Sequence, residues 1–240
     1  MLVGALCMVN TANSATTQSL SGEFAGDFHA KVSCRYLAYL PADYGTSRTA
    51  QFPLLVYLHG SGERGSDLSK LENQGPRPYA KAHPDFPFIL ISPQCGEGEW
   101  WDNNVLISIL DHLEKKFRVD KSRVYLTGSS MGGYAVWYLS SQYPDRFAAI
   151  APISGEGYDD LAAKYKNLWV WAFHGEKDTV VNPRGSTDML KPVRAAGGEM
   201  ELTTYPDAGH NAWTRTYANP DLYTWLLAHK KPQNAHKAPR

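Results

Sequence analysis

Hydrophobic and polar positions along this chain follow two different periods. Largely apolar segments predict seven strands: KVSCRYLAYLP, FPLLVYLHG, FPFILISPQ, SRVYLTG, RFAAIAPISG, NLWVWAFHG and MELTTYP. Apolar positions at helical spacing predict four helices among them: NVLISILDHLEKKF, GGYAVWYLSSQYP, RGSTDMLKPVRAAGG and DLYTWLLAHK. Because proline has no N–H and clashes with the preceding turn, Pro144 is expected to help end the second helix, and Pro192 to kink or shorten the third.

Strands that alternate with helices predict an α/β fold, in which a mostly parallel central sheet is covered by helices on both faces. Strands covered on both faces read as continuous apolar runs, as several of these do. No repeat or low-complexity linker divides the chain, so a single domain is expected over residues 16–230. Ligands bind such sheets at the carboxyl ends of the strands, and the chemistry is therefore sought there.

The composition and charge of the chain indicate a globular protein without a nucleic-acid partner. Of the 240 residues, 43% are hydrophobic and 20% are charged, which is enough apolar material for a sizeable core. Lys plus Arg equals Asp plus Glu at 24 each, so the formal net charge is zero. Since there is also no long basic run, a nucleic-acid partner is not expected.

The two ends of the chain differ from its middle. The opening MLVGALCMVNTANSA is apolar and then small and polar, which predicts a signal peptide over residues 1–15 and a secreted or periplasmic protein. No Lys or Arg precedes the apolar part, so a disordered leader in a cytosolic protein is the alternative. The run is too short for a membrane-spanning helix, and no membrane partner is expected. The ending HKKPQNAHKAPR predicts a flexible tail over residues 231–240.

The stretch YLTGSSMGGYAVWYL contains a G-x-S-x-G pattern centred on Ser130, between a predicted strand and a predicted helix. Centring the pattern on Ser129 fails, because Thr127 and Met131 then occupy the glycine positions. A sharp strand-to-helix turn presents the central side chain to a site, and small residues on both sides let the backbone approach closely. Ser130 is therefore the candidate nucleophile, and Ser129 a packing residue.

A serine hydroxyl needs a base held in one tautomer by an acid. Asp178 follows one predicted strand and His210 follows the next, in the chain order Ser, Asp, His that this architecture uses. Glu176 and Asp207 are rival acids, and we favour Asp178 because it lies in the turn that leads to the next helical segment. Six of the other seven histidines are less suited as the base because they end strands or lie in a helix, a loop or the tail: His59, His83, His112, His174, His229 and His236.

The oxyanion that forms during acyl transfer needs preorganised N–H donors. One donor is expected to be the N–H of Met131, the residue after the nucleophile, at a helix N-terminus. The second is expected in the glycine-rich loop YLHGSGERGSD, where we assign the N–H of Ser61 and keep Gly60 and Gly62 as alternatives. That loop has no G-K-[ST] and is not a phosphate loop. Neither a metal site nor a cofactor is predicted.

Cleavage of the signal peptide would leave two cysteines, Cys34 and Cys95. They form a disulfide in an oxidising compartment or remain separate buried thiols, and both interpretations stay open. Their spacing does not predict a metal site.

Six segments occur in an order that resembles the α/β-hydrolase superfamily: LHGSGERG, SPQC followed by Trp100-Trp101, LTGSSMGGYAVW, FAAIAPISG, FHGEKDTVV and GHNAWTRTY. Together they resemble the group of secreted esterases and predicted peptidases that includes feruloyl-esterase-like and polyhydroxybutyrate-depolymerase-like enzymes. The resemblance covers about Lys31 to Leu227 and implies the same five residues: Ser130, Asp178 and His210 as the triad, and Ser61 and Met131 as oxyanion donors. No stretch between strands is long enough for a large lid domain, which implies an open site.

The resemblance implies a serine carboxylesterase that acts on small-molecule or polysaccharide-linked esters, with short acyl or aryl groups such as feruloyl. Trp100, Trp101 and Trp213 lie in loops near the predicted site, where they either stack on substrate rings or pack against the loops. Glu63 and Arg64 either steer a charged substrate or fix their loop. A serine peptidase of the same fold and a non-catalytic binding protein on a hydrolase scaffold are the alternative functions.

Overall fold

The computed structural model describes residues 32–46 and 48–231. The predicted signal peptide over residues 1–15, and residues 232–240 of the predicted tail, lie outside the described residues. Within the described part, seven strands form one sheet in the order β1-β3-β2-β4-β5-β6-β7. Their bounds are β1 Tyr36–Tyr39, β2 Phe52–Leu58, β3 Ile89–Pro93, β4 Val119–Ser129, β5 Ala149–Ile153, β6 Trp169–Gly175 and β7 Glu199–Tyr205.

Strand β1 pairs with β3 in the antiparallel sense, and the other pairings of the sheet are parallel. The predicted α/β class with a mostly parallel sheet is therefore confirmed. Because parallel strands share a direction, the carboxyl ends of β2, β4, β6 and β7 lie at one edge of the sheet. These are the ends that precede the loop at Ser61, the turn at Ser130, and the turns at Asp178 and His210.

Strands β2, β3 and β5 are buried on both faces, which explains why their sequences are continuous apolar runs, whereas the edge strands β1 and β7 are partly exposed. Along β2, Leu54, Val56 and Leu58 pack into the hydrophobic core on one face. Leu55 and Tyr57 pack into the core on the other face, as the alternation of side chains along a strand requires. The interior therefore consists of two apolar layers, one on each side of the sheet.

Seven α-helices are present in the described residues, and none of them is long and apolar enough to cross a bilayer. Their bounds are α1 Arg77–Ala82, α2 Asn103–Lys116, α3 Met131–Gln142, α4 Arg184–Thr187, α5 Leu190–Ala195, α6 Trp213–Ala218 and α7 Pro220–Ala228. The prediction did not include α1 and α6, because six residues are too few to show an amphipathic period. It located α2, α3 and α7.

The third predicted helix is divided into α4 and α5, which corrects the prediction of one element over that segment. Pro192 lies in the first turn of α5, where its missing N–H needs no intrahelical partner. A helix continuing from α4 would place the proline in its interior. The chain therefore interrupts the helix at Asp188 and starts a new one.

Helix α2 has the local features its sequence predicts. Asp102 caps its N-terminus by accepting hydrogen bonds from the N–H groups of Asn104 and Val105 at 2.7 and 3.1 Å. Its buried side chains are Leu106, Ile109, Leu110 and Leu113, while Val105 is only half-buried. These four positions recur at helical spacing and form the apolar face that packs into the core.

Candidate active site

Ser130 is the single residue between the end of β4 and the start of α3. Its backbone has φ 53° and ψ −119°, a conformation that costs a non-glycine residue about 1–3 kcal/mol. The N–H of Ser130 donates to Ile153 O at 3.0 Å, and its carbonyl accepts from Tyr134 N–H at 3.0 Å. The neighbouring strand and the following helix therefore hold the turn in place.

Two glycines allow this turn to pack closely against the sheet. A Cβ on Gly132 would lie 1.9 Å from Leu58 O, and one on Gly128 would lie 2.5 Å from Gly132 O. Both distances are far shorter than any real Cβ contact, so the first turn of α3 can rest on the end of β2 only if both positions lack a side chain. This is the physical reason for the G-x-S-x-G spacing in this chain.

The side chains of Ser130, His210 and Asp178 form one hydrogen-bonded row. His210 Nε2 lies 2.8 Å from Ser130 Oγ, and His210 Nδ1 lies 2.7 Å from Asp178 Oδ2. Because an ionised carboxylate only accepts hydrogen bonds, Nδ1 carries the imidazole proton and Nε2 is left to accept the serine proton. The Asp178 side chain is fully buried, whereas that of His210 is 21% exposed. The structure thus brings together the three side chains that the sequence assigned to nucleophile, base and acid.

The turns that hold Asp178 and His210 are tied to each other and to the sheet. Lys177 N–H donates to Ala208 O at 2.9 Å, which joins the turn after β6 to the turn after β7. The Ser154 hydroxyl, just past β5, donates to His210 O at 3.0 Å. The position of the imidazole is therefore fixed by contacts from two neighbouring strand ends.

Four hydrogen-bond donors surround the Asp178 carboxylate. Oδ1 accepts from the N–H groups of Val180 and Val181 at 2.8 and 2.9 Å, and Oδ2 accepts from His210 and, at 3.2 Å, from His174 Nε2. Burial alone raises the pKa of this carboxyl, but the hydrogen bonds from His210, Val181 and Val180 outweigh it, so its pKa lies below the ordinary value. Asp178 is consequently held as a carboxylate that faces the imidazole.

His174 contacts the same carboxylate and was not predicted to do so. The sequence only ranked it below His210 as the base, because it ends a strand; the spacing of four residues between His174 and Asp178 is the local signal for their contact. Burial lowers the pKa of His174, which keeps the ring neutral, with Nε2–H shared between Asp178 and Val181 O and Nδ1 lying 2.8 Å from Ser186 Oγ. Ser154 and Gln74 are two further site residues that the sequence did not single out.

The rival acids point to other partners. Glu176 Oε1 accepts from the Thr204 hydroxyl at 2.6 Å, and Asp207 Oδ1 accepts from Arg215 Nη1 at 3.0 Å. The Asp207 side chain is also 78% exposed, so the solvent screens its charge. The geometry therefore favours Asp178 over both as the partner of His210.

His59 ends β2 and holds the glycine-rich loop. Its Nδ1–H donates to Gly60 O at 2.6 Å, and its Nε2 accepts from the Cys95 N–H at 3.0 Å. Burial lowers the pKa of His59 to about 4, with smaller contributions from Arg64 and Lys70, so the ring is neutral at physiological pH. Trp101 packs against this ring and its Nε1–H donates to His59 O at 3.1 Å.

A cavity of about 230 Å³ lies above Ser130. Its walls come from the glycine-rich loop, the serine turn and the loops of α1 and α6, and its lining residues are Gly60, Ser61, Gly62, Glu63, Gln74, Ser129, Ser130, His210 and Trp213. Ser61 begins a 3-10 turn and Met131 begins α3, so the N–H groups of both residues have no partner within their own helix. Arg64 donates to Ser61 O at 3.0 Å and to Glu99 O at 3.1 Å. Of the two roles expected for Arg64, these contacts correspond to fixing the loop.

The Ser129 hydroxyl is engaged by Tyr57 rather than by a histidine. Its side chain is buried and its Oγ lies 3.1 Å from the hydroxyl of Tyr57. Glu63 lines the cavity, and burial raises the pKa of its carboxyl.

A second cavity, of about 370 Å³, adjoins the first, since Gln74 and Trp213 line both. Its lining is mainly aromatic and apolar: Asn73, Gln74, Gly75, Pro78, Tyr79, His83, Trp213, Thr214, Tyr217 and Ala218. The Trp213 ring lies edge-on to His210 with 5.1 Å between ring centroids, and Tyr79 stacks on His83 at 3.8 Å. A groove with aromatic walls therefore leads away from the serine.

The three predicted substrate-contacting tryptophans are placed differently. Trp213 lines both cavities, whereas neither Trp100 nor Trp101 is among the described side chains that line them. Trp101 is bound to the end of β2, and Trp100 is 66% exposed with its ring edge-on to Tyr134. A substrate contact by Trp100 or Trp101 stays a prediction. Among the described residues, no group of three His, Cys, Asp or Glu side chains is placed to hold a metal ion.

The sheet is mostly parallel, its serine lies at a strand-to-helix turn, and the acid and the histidine follow the last two strands. This combination defines the α/β-hydrolase class. The model of the Dienelactone hydrolase family matches residues 102–235, and the chain belongs to that family. The resemblance drawn from the sequence motifs is thereby confirmed.

Relatives with assigned activities are similar over much of the chain. A bifunctional acetylxylan esterase/xylanase of Neocallimastix patriciarum is 28% identical over 72% of this chain and 26% of its own length. A probable feruloyl esterase C of Aspergillus niger is 22% identical over 90% of this chain and 81% of its own length. A solved thermostable esterase is 28% identical with a TM-score of 0.71, over 83% of this chain and 60% of that one. The chain thus spans about a quarter of the length of the first of these relatives.

Proposed function

We propose that this protein is a serine carboxylesterase that works through an acyl-enzyme. The observation that carries the proposal is the hydrogen-bonded row from Ser130 through His210 to Asp178, with distances of 2.8 and 2.7 Å. An aligned serine and histidine within hydrogen-bond reach, with the histidine oriented by a buried carboxylate, is the arrangement that activates a hydroxyl at neutral pH. The esterase relatives support the choice of esters over other acyl compounds.

The proposed reaction assigns one task to each group. Ser130 Oγ attacks the ester carbonyl while His210 Nε2 accepts its proton, and Asp178 stabilises the imidazolium that forms. The N–H groups of Ser61 and Met131 bind the oxyanion. His210 then protonates the departing alkoxide, and water repeats the sequence on the acyl-enzyme to release the acid and restore Ser130.

Covalent labelling with a fluorophosphonate tests both the serine-hydrolase mechanism and the choice of Ser130 as the nucleophile. Wild-type protein is expected to be labelled and to hydrolyse p-nitrophenyl acetate, whereas Ser130→Ala is expected to lose both properties. Ser129→Ala is the matched control: it removes a hydroxyl one residue away, which is hydrogen-bonded to Tyr57 and not to His210, and should keep most of the turnover. If Ser129→Ala is the inactive variant, or folded wild type is not labelled, the proposal is wrong.

We further propose that the substrates are aryl esters, with the aromatic acyl group in the cavity beyond Trp213. The support is the position of that cavity, which shares Gln74 and Trp213 with the cavity above Ser130, and its aromatic walls. Aromatic pairs contribute about 0.5–1.5 kcal/mol beyond their buried area, which is enough to favour an aryl acyl group over an alkyl one.

Methyl ferulate and methyl acetate share their alcohol and differ in the acyl group. A comparison of the two esters therefore isolates the proposed contact between the aromatic acyl group and Trp213. Trp213→Ala is expected to raise KM for methyl ferulate by about 3- to 10-fold and to change KM for methyl acetate by less than about 2-fold. Trp100→Ala removes a tryptophan that is 66% exposed and outside both cavities. If the acyl group lies only beyond Trp213, both KM values stay unchanged in this variant, whereas a rise for methyl ferulate would support the predicted substrate contact by Trp100. Equal effects of Trp213→Ala on the two esters would place the acyl group elsewhere.

Export to the periplasm or the medium is also part of the proposal, and it rests on the apolar and then small, polar residues 1–15. Expression of the chain with its own N-terminus in a bacterial host, followed by N-terminal sequencing of the periplasmic protein, tests it. A mature N-terminus near residue 15 supports export, and retention of the intact N-terminus in the cytosol contradicts it.

A further inference from the structure

Two cysteines remain outside the chemistry described above, and the sheet places them opposite each other. In the antiparallel ladder between β1 and β3, Tyr36 pairs with Pro93 and Leu37 with Ser92. The Gln94 N–H donates to Arg35 O at 2.8 Å, so the ladder continues beyond the ends of both strands. The same register carried one residue further places Cys34 directly across from Cys95.

The hydrogen-bond pattern defines the kind of pair. Because Arg35 and Gln94 are joined by a ladder hydrogen bond, the next pair along, Cys34 and Cys95, is a non-hydrogen-bonded one. The backbone of Cys95 agrees, since its N–H donates to His59 Nε2 at 3.0 Å and its carbonyl accepts from Gly65 N–H at 2.9 Å, both on the side away from β1. In such pairs the Cα atoms are about 4.5 Å apart and the side chains lie on the same face, within the range that a disulfide requires.

Neither cysteine takes part in a disulfide in this structure. Both are free; Cys95 is buried and Cys34 is half-buried. Cys34 Sγ already reaches the β3 side of the ladder, where it lies 3.6 Å from Gln94 O. Because the backbone spacing of such a pair suits a disulfide, we expect rotation of the two side chains to be enough for the sulfurs to meet.

We propose that Cys34 and Cys95 form a structural disulfide when the protein meets a disulfide oxidant. In the first step the Cys34 thiol loses a proton and its thiolate attacks the oxidant, which leaves a mixed disulfide and releases one thiol. The Cys95 thiolate then attacks the Cys34 sulfur and releases the second thiol. One oxidant disulfide is reduced to two thiols for each protein disulfide formed, so electrons and protons balance.

This disulfide acts on the loop that carries Ser61. Residues 94–99 hold that loop through the Cys95 contacts with His59 and Gly65, through Gln94 Nε2 to Glu63 O, and through Arg64 Nη1 to Glu99 O at 3.1 Å. A covalent bond from Cys95 to the segment before β1 fixes the supporting strand at its end. We therefore expect the oxidised protein to be the more heat-stable form, whatever its substrate is.

The reaction with oxidised glutathione at pH 9 tests the proposal on the full chain in a Cys7→Ser background, so that only two thiols remain. Alkaline pH is chosen because burial raises the pKa of the Cys95 thiol to about 11 and raises that of Cys34 as well. The expected product is lighter by about 2 Da and yields one peptide pair linked through Cys34 and Cys95. Its Tm should be about 5–15 °C above that of the reduced protein.

Cys34→Ser in the same background is the matched control. It leaves Cys95 and its backbone contacts in place, so its Tm should not respond to the oxidant or to a reductant. Persistence of two free thiols, stable glutathione adducts on the separate cysteines, or a Tm shift of equal size in Cys34→Ser would each overturn the proposal.

Discussion

The pH dependence of folding should change in a defined way when His59 is replaced by asparagine. His59 is fully buried, donates from Nδ1 to Gly60 O and accepts from the Cys95 N–H at Nε2. Asparagine can keep the first hydrogen bond, but it does not reach the second and it does not titrate. The variant should therefore be less stable than wild type at pH 7, by about 1–3 kcal/mol, because the buried Cys95 N–H loses its acceptor.

The magnitude of the pH effect follows from the shift of this one histidine. Its pKa is lowered to about 4 in the folded protein, against 6.5 for an unperturbed ring. Between pH 6.5 and pH 4, His59 is protonated in the unfolded chain and neutral in the folded protein. Its contribution to the free energy of unfolding is therefore complete above pH 6.5 and is lost as the pH falls toward 4. At about 1.36 kcal/mol per pKa unit, wild type loses about 2 kcal/mol between pH 7 and pH 5 through His59 alone.

Urea unfolding followed by tryptophan fluorescence at pH 7, 6 and 5 measures the difference. Burial also lowers the pKa values of His174 and His229, and their contributions cancel because both proteins contain them. The gap in unfolding free energy between wild type and His59→Asn should therefore narrow by about 2 kcal/mol from pH 7 to pH 5. Parallel pH curves for the two proteins would refute the reasoning, since they would mean that His59 titrates alike in the folded and unfolded states.

Two further substitutions test the site. Gly132→Ala should destabilise the protein by more than about 3 kcal/mol, because its Cβ would lie 1.9 Å from Leu58 O, and a Tm within about 3 °C of wild type would contradict this contact. Asp178→Asn should keep the fold by circular dichroism but lower kcat on p-nitrophenyl acetate by about 10³- to 10⁴-fold, since an amide does not hold His210 in the required tautomer. Glu176→Gln is its control, and a larger loss in that variant would reassign the acid.

Much of the architecture follows from the chain read in order. The strands were predictable because a sheet covered on both faces demands continuous apolar runs, as in β2 and β6. The serine turn was predictable for a local reason: the strained backbone at Ser130 tolerates only glycine at positions 128 and 132, where any Cβ would meet backbone atoms. The short helices α1 and α6 were not predicted from the sequence, because six residues are too few to show an amphipathic period. Tertiary contacts decide whether such short helices form.

Tertiary structure alone decided which distant residues meet. The aromatic cavity beside the serine joins α1 to α6 across more than a hundred residues of sequence. The relation of Cys34 to Cys95 depends on strand order, because β1 pairs with β3 rather than with its sequence neighbour β2, in an antiparallel register that no local pattern encodes. Local sequence determines backbone geometry through sterics and burial. Contacts between side chains that are remote in sequence depend on the spatial order of the strands in the sheet.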